Sequence, residues 1–134
     1  MHSEIRTYDT GGIDTVLDIT SDCAAFVRER GDGLLHVFVP HATAGLAIME
    51  TGSGSDADLL AALSDLLPSD DRWKHRHGSR GHGRSHVMPA LIPPYATIPV
   101  VDGRMALGMC QSVCLVDLNR DNSKRKVRMS FISG

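Results

Sequence analysis

Apolar positions along this chain follow two periods. From Ile13 to Ile19, the residues Ile13, Thr15, Leu17 and Ile19 alternate with Asp14, Val16 and Asp18, the period of a half-buried strand. A helix is expected next. Cys23, Phe26 and Val27 share a helical face, Thr20 or Ser21 stands at the cap position, and Gly31 marks a stop. Leu34 to Val39, rich in β-branched residues and closed by Pro40, reads as a buried strand.

The small residues of His41-Ala42-Thr43-Ala44-Gly45 break that strand and allow another backbone to approach, after which Leu46 to Met49 is extended again and ends at Glu50. Thr51 to Ser55 is a turn whose last serine caps the clearest helix, residues 56–67. There Leu59, Leu60, Leu63, Leu66 and Leu67 form one apolar stripe, and Pro68 ends it. From Ser69 to Pro94 no period is visible, and Gly81 and Gly83 argue against a helix. Strands return with Thr97 to Val101. Asp102-Gly103 suits a type I′ hairpin leading into a strand from Arg104 to Leu118. A second hairpin with loop Asn119 to Ser123 then leads to a strand alternating at Val127, Met129 and Phe131.

Two main helices among about seven short strands predict an α+β domain of largely antiparallel sheet. A chain of 134 residues is the size of one domain, so residues 1–134 are read as a single unit. The net charge of -2 gives no reason to expect nucleic acid as a partner. No apolar run approaches the roughly 18 residues of a membrane span, and Met1-His2-Ser3-Glu4 lacks the pattern of a secretion signal. With an odd count of 3 cysteines, this predicts a cytoplasmic protein with reduced thiols. Cys110 and Cys114, four apart on an extended strand, would lie too far apart to bridge and read as packing thiols.

The aperiodic stretch changes the picture. Residues 72–86 carry His75, His77, His82 and His86 with Arg72, Lys74, Arg76, Arg80 and Arg84, and no acid. Imidazoles ligate zinc and related metals, while arginine forks and glycine-exposed N–H groups suit phosphate. An exposed basic loop is the plain alternative. Trp73 is the stretch's lone aromatic, which argues against nucleic acid. Another ligand must come from elsewhere, and His41, at a strand end beside small residues, is the leading candidate. His36 reads as structural and His2 as terminal and mobile. Glu50 is a candidate general base or a solvent-facing strand end. Gln111 shares the parity of Leu107, Met109, Val113 and Leu115, so it needs a partner, either backbone or a ligand's polar edge.

Taken together, Leu35 to Ala44, Glu50, the stretch from His75 through Ser85 to His86, Val100 to Arg104 and Gly108-Met109-Cys110-Gln111 resemble the YjbQ family. These are small bacterial and archaeal proteins described as secondary thiamine-phosphate synthases, and the resemblance covers nearly the whole chain. It implies a YjbQ-like α+β fold of antiparallel sheets and a homotrimer with sites near subunit contacts. It also implies that His41, His75 and His86 converge with Glu50, Arg104 and Gln111. The chain departs from the family at Met109 and Cys110, where Thr-Trp is usual. Thr51 and Ser53 stand where Asn and Asp are common, and His82 replaces an asparagine.

The reading that follows is an enzyme. It transfers a pyrimidine-methyl group from its pyrophosphate to a thiazole phosphate, with His41, His75 and His86 holding a divalent ion, zinc or magnesium, or in its place an anion. Arg76, Arg80, Arg84 and Ser85 would bind the small phosphorylated substrate, and Glu50, Arg104 and Gln111 would act at the reacting centre. A metal-dependent hydrolase or lyase on a phosphorylated substrate, or a non-catalytic metal-binding trimer, are the alternatives.

Overall fold

The computed structural model describes residues 1–134. In chain order the elements are β1 (His2–Asp9), β2 (Thr15–Asp18), α1 (Thr20–Val27), β3 (Gly33–Phe38), β4 (Ala44–Met49), α2 (Ser55–Leu66), α3 (Gly83–Leu91), β5 (Tyr95–Val101), β6 (Arg104–Met105), β7 (Ser112–Asp117) and β8 (Lys124–Ser133). They build a five-stranded sheet of order β1-β8-β3-β5-β6 and a three-stranded sheet of order β2-β7-β4. Every pairing is antiparallel, so the expected class holds.

The alternating residues Leu35, Val37, Ile98, Val100, Val127 and Met129 of the large sheet meet Ala44, Leu46, Val113 and Leu115 of the small one, with Cys23, Phe26 and Val27 from α1. Val116 of β7 and Leu118 just beyond it face the other way and pack against Leu63, Leu67 and Met88. β7 is therefore buried on both faces, which is why it reads as a continuous apolar run. Gly45 fulfils the expected close approach: a Cβ there would lie 2.1 Å from the Ile92 carbonyl oxygen, and the Leu46 N–H donates to Pro93 O at 2.8 Å. The chain leaving α3 is thereby laid against β4.

Several expectations are corrected. His2 lies in β1, an element the sequence does not announce, paired with Phe131 and stacked 5.7 Å from the Phe26 ring. The Asp102-Gly103 hairpin forms with the positive φ values of 52° and 74° that a type I′ turn needs. Arg104 to Leu118, however, is not one strand. β6 ends at Met105, and the chain crosses to the other sheet before β7 starts. Asn119 to Ser123 is likewise a crossing between sheets, because β7 and β8 do not pair. Cys110 sits exposed in the first crossing; Cys23 and Cys114 are the packed thiols, and burial pushes them up to about 12 and about 11. His36 faces outward, with Nδ1 2.8 Å from Thr97 Oγ1. Leu66 falls off the α2 stripe, at 63% exposed.

The largest correction is α3, in the stretch read as irregular. Its buried face is Gly83, Arg84, Ser85 and Met88, and Pro89 lies inside it. A helix with one large apolar residue on its inner face has no hydrophobic period to detect. No helix of the chain is long and apolar enough to cross a membrane.

Candidate metal centre

Beyond α2 the chain is tied down by its one tryptophan. Trp73 packs against the Leu63, Leu67 and Met88 cluster, and its Nε1–H donates to Pro68 O at 2.9 Å. Gly83 lets this loop lie on the first turn of α3, since a Cβ there would meet both His75 O and Trp73 Cβ at 2.5 Å. At the other end of the loop, the backbone N–H and hydroxyl of Ser79 donate to Asp121 Oδ2 at 3.0 and 3.2 Å. The Ser79 N–H holds the Asp121 carboxyl below its ordinary range. Asp121 is set in turn by the crossing from β7: its N–H donates to Asn119 Oδ1 at 2.8 Å, and Asn119 N–H donates to Asp117 Oδ1 at 2.9 Å.

This frame brings His75, His77, His82 and His86 together, with one ring nitrogen of each within 4.8 Å of all the others. His82 and His86 are one helical turn apart at the start of α3, Nε2 to Nε2 at 3.0 Å. His75 and His77 also meet Nε2 to Nε2. On its other side, His82 Nδ1 lies 2.9 Å from Asp121 Oδ2. It is off the line of a hydrogen bond, so it is a buried nitrogen without a partner. Desolvation, followed by the neighbouring imidazoles, lowers the pKa of His75 and of His86. Converging ring nitrogens fit a metal cation. Tetrahedral bonds of roughly 2.0–2.1 Å would place the nitrogens about 3.3–3.4 Å apart, so the two close Nε2 pairs would open and the wider separations, up to 4.8 Å, would close. A small turn of His82 would let its Nδ1–H donate to Asp121, the carboxylate that would then orient it. Four nitrogen donors suit zinc or a neighbouring transition ion and not magnesium, which takes oxygen ligands.

Two of the three histidines expected as ligands, His75 and His86, are thus in the cluster, joined by His77 and His82. His41 is not among the four. Its Nε2 accepts from the Lys126 N–H at 2.9 Å, and burial, then the Arg125 charge, lowers its pKa. Arg84 and Ser85 turn inward from the positions proposed for phosphate contact. Arg84, 2% exposed, pairs with Asp14 at 2.6 Å and donates to Leu67 O, and Ser85 donates to His82 O at 2.6 Å. Arg76 and Arg80 stay exposed and line a cavity of about 170 Å³ with His75, His82, Asp70 and Asp71, where Arg80 Nε lies 3.4 Å from Asp71 Oδ2. Glu50 is exposed at the end of β4. Arg104 lines a separate cavity of about 660 Å³ with Arg28, Glu29 and Asp102. Gln111 is exposed and off any apolar face; its Oε1 accepts from the Gly108 N–H at 2.7 Å. Within one chain, Glu50, Arg104 and Gln111 are not part of the histidine cluster. Asp121 has no signature in the sequence, because a lone acid in a loop carries none; its place depends on the crossing from β7 and on the loop that Ser79 brings to it.

Comparison with known proteins agrees with this architecture. The chain belongs to the family described as UPF0047 protein YjbQ-like, which matches residues 4–134. A UPF0047 protein of Mycobacterium tuberculosis is 55% identical over 134 residues, covering 100% of both chains. One from Synechocystis is 34% identical, covering 94% of this chain and 88% of its own. Among solved structures, a hypothetical protein of Aeropyrum pernix superposes with a TM-score of 0.89 at 28% identity, covering 100% of each chain. A YbjQ-like protein of unknown function from Sulfolobus solfataricus reaches 0.91 at 21% identity over 99% and 97%, a likeness of fold.

Proposed function

We propose that this YjbQ-like protein is a metal-dependent enzyme acting on a small phosphorylated substrate, with His75, His77, His82 and His86 as the ligands of a zinc-like ion. The observation that carries the reading is the convergence of four imidazoles, backed by Asp121, beside a cavity edged by Arg76 and Arg80. When bound, the ion supplies positive charge where a phosphate leaving group develops negative charge. Arg76 and Arg80 bind phosphate oxygens, and the Ser79 to Asp121 contacts hold the loop between them.

The reaction implied by the family resemblance fits such a site. The bond from the pyrimidine methylene carbon to the pyrophosphate oxygen breaks, and its electron pair leaves with pyrophosphate. The thiazole ring nitrogen supplies the pair for the new C–N bond. The test is to supply the pyrimidine pyrophosphate and the thiazole phosphate to zinc-loaded protein and follow thiamine phosphate. Formation that a chelator abolishes and zinc restores is expected; metal-loaded protein with no turnover would overturn the transferase assignment and leave the metal site standing.

The same reading includes a homotrimer in the reducing cytoplasm. Its support is the outer face of the five-stranded sheet, where Leu34, Phe38, Tyr95, Val101 and Ile132 are 40–58% exposed and no element covers them. Light scattering at three times the 14.5 kDa chain mass is the expected result, and a stable monomer would remove it.

A further inference from the structure

Four imidazoles fill a tetrahedral ion, and a filled ion has no place for a substrate. The four are unequally held, however. His82 and His86 belong to the start of α3, a helix pinned by buried Arg84 on Asp14 and by Met88, which is fully buried. The His82 side chain is itself 6% exposed and backed by Asp121. His75 rides on an exposed loop, but its backbone is wedged against Gly83 two residues after the anchored Trp73. His77 is held differently. Its backbone is fixed, because Gly78 lies against Asp121 and His82, where a Cβ would come within 2.5 Å of Asp121 Oδ2. Its side chain is exposed and its ring is hydrogen-bonded only to His75, so the ring can swing out by side-chain rotation and leave the frame intact.

We propose that His77 is a displaceable ligand, closing the fourth position in the resting protein and yielding it to a phosphate oxygen of the substrate. The inference rests on the metal-site reading above. His75, His82 and His86 then form a fixed three-histidine platform. Arg76 is adjacent in sequence to His77; its Nε donates to Trp73 O at 3.1 Å, and it lines the cavity with Arg80. Asp70 and Asp71 line the same cavity and Arg80 Nε lies 3.4 Å from Asp71 Oδ2, so an entering phosphate meets Arg76 first and competes with the exposed Asp71 carboxylate for Arg80 before it reaches the ion.

The probe is Co(II) in place of zinc, read by its visible absorption and by quenching of Trp73, the single tryptophan, which lines the cavity with His75 and His82. Wild-type protein should bind Co(II) in a four-nitrogen spectrum that inorganic phosphate shifts saturably. His77→Ala should lower Co(II) affinity by no more than about tenfold and raise phosphate affinity by about tenfold, because a closed population no longer competes. Asp121→Ala, which removes both the carboxylate behind His82 and the Ser79 anchor of the loop, should cost roughly 10–100-fold in Co(II) affinity. His86→Ala should cost at least as much, with His75→Ala as a second fixed-ligand variant and circular dichroism confirming that each remains folded. Losses equal across His75, His77 and His86, or a wild-type spectrum indifferent to phosphate, would overturn the displaceable ligand while preserving the metal site. Absence of Co(II) binding to folded wild-type protein would overturn both.

Discussion

Two polar clusters lie on either side of the same short crossing, and they are built to opposite rules. At its start, Asp117 and Arg125 are 0% and 1% exposed and joined by two bonds of 2.7 and 2.9 Å. Thr10 donates to the same carboxylate, and Arg125 Nη2 and Asn119 Nδ2 both donate to Thr43 Oγ1. There, donors meet acceptors and opposite charges cancel. A few residues on, Asp121 faces four imidazoles that meet nitrogen to nitrogen, with a buried Nδ1 left over. A satisfied network stabilises a fold; a convergence of ligand nitrogens with no acid among them is an arrangement that a cation would complete.

If the first cluster is structural, breaking it should give the largest stability change in the molecule. Asp117→Ala strands a buried guanidinium and should cost about 3–5 kcal/mol in urea unfolding. A loss below about 1 kcal/mol would place the pair with exposed, weakly coupled ones and erase the contrast.

The second cluster should respond to metal before stability. At zinc just above the protein concentration, His86→Ala should sharply reduce the metal-dependent rise in melting temperature while moving the metal-free melting point little. A metal-dependent rise that survives in both His86→Ala and His75→Ala would locate the ion elsewhere.

Acid sharpens the same distinction. The lowered pKa values of His75 and His86 mean that the unfolded chain, with imidazoles at 6.5, takes up protons before the folded chain does. Stability is therefore full above 6.5 and falls as pH drops through the lowered folded values. Metal affinity should fall over the same window, because protonated imidazole is no ligand. Paired urea titrations of metal-free protein at pH 7.5 and pH 5.5 read this, and a higher midpoint at the lower pH would contradict it.

The smallest effect belongs to Gln111. Its side chain only clips the Gly108 turn, so Gln111→Ala should change stability by less than about 1 kcal/mol. Under the transferase reading its effect would show in turnover, and a large loss of stability would instead mean that the turn holds the crossing to β7.

Legibility followed periodicity. β3, β4, α2 and the Asp102-Gly103 hairpin were readable because alternating or stripe-forming apolar residues, or two residues suited to positive φ, leave a local trace. β1 was not: His2 to Asp9 places Ile5 outward at 50% exposed, and its inner face is made of half-buried polar residues. α3 was hidden by an inner face of glycine, arginine and serine. The crossings at 106–111 and 119–123 read as strand and hairpin in the sequence, since sequence adjacency says nothing about which sheet a strand joins.

For the site, the density of histidines between Arg72 and His86, with no acid among them, marks a candidate ligand site, although composition hides that Trp73, Arg84 and Ser85 of the same stretch are packed inward. Which imidazoles converge is a different kind of fact. It depends on α3 carrying His82 and His86 on one face, on Gly83 admitting the backbone of His75, and on Asp121 arriving from a segment about forty residues away in sequence to hold Ser79 and face His82. His41 is drawn instead to the Lys126 N–H, where β8 passes it. Residue type is a local property and can be read along the chain, whereas coordination needs nitrogens only a few ångströms apart, and that separation is decided by long-range packing.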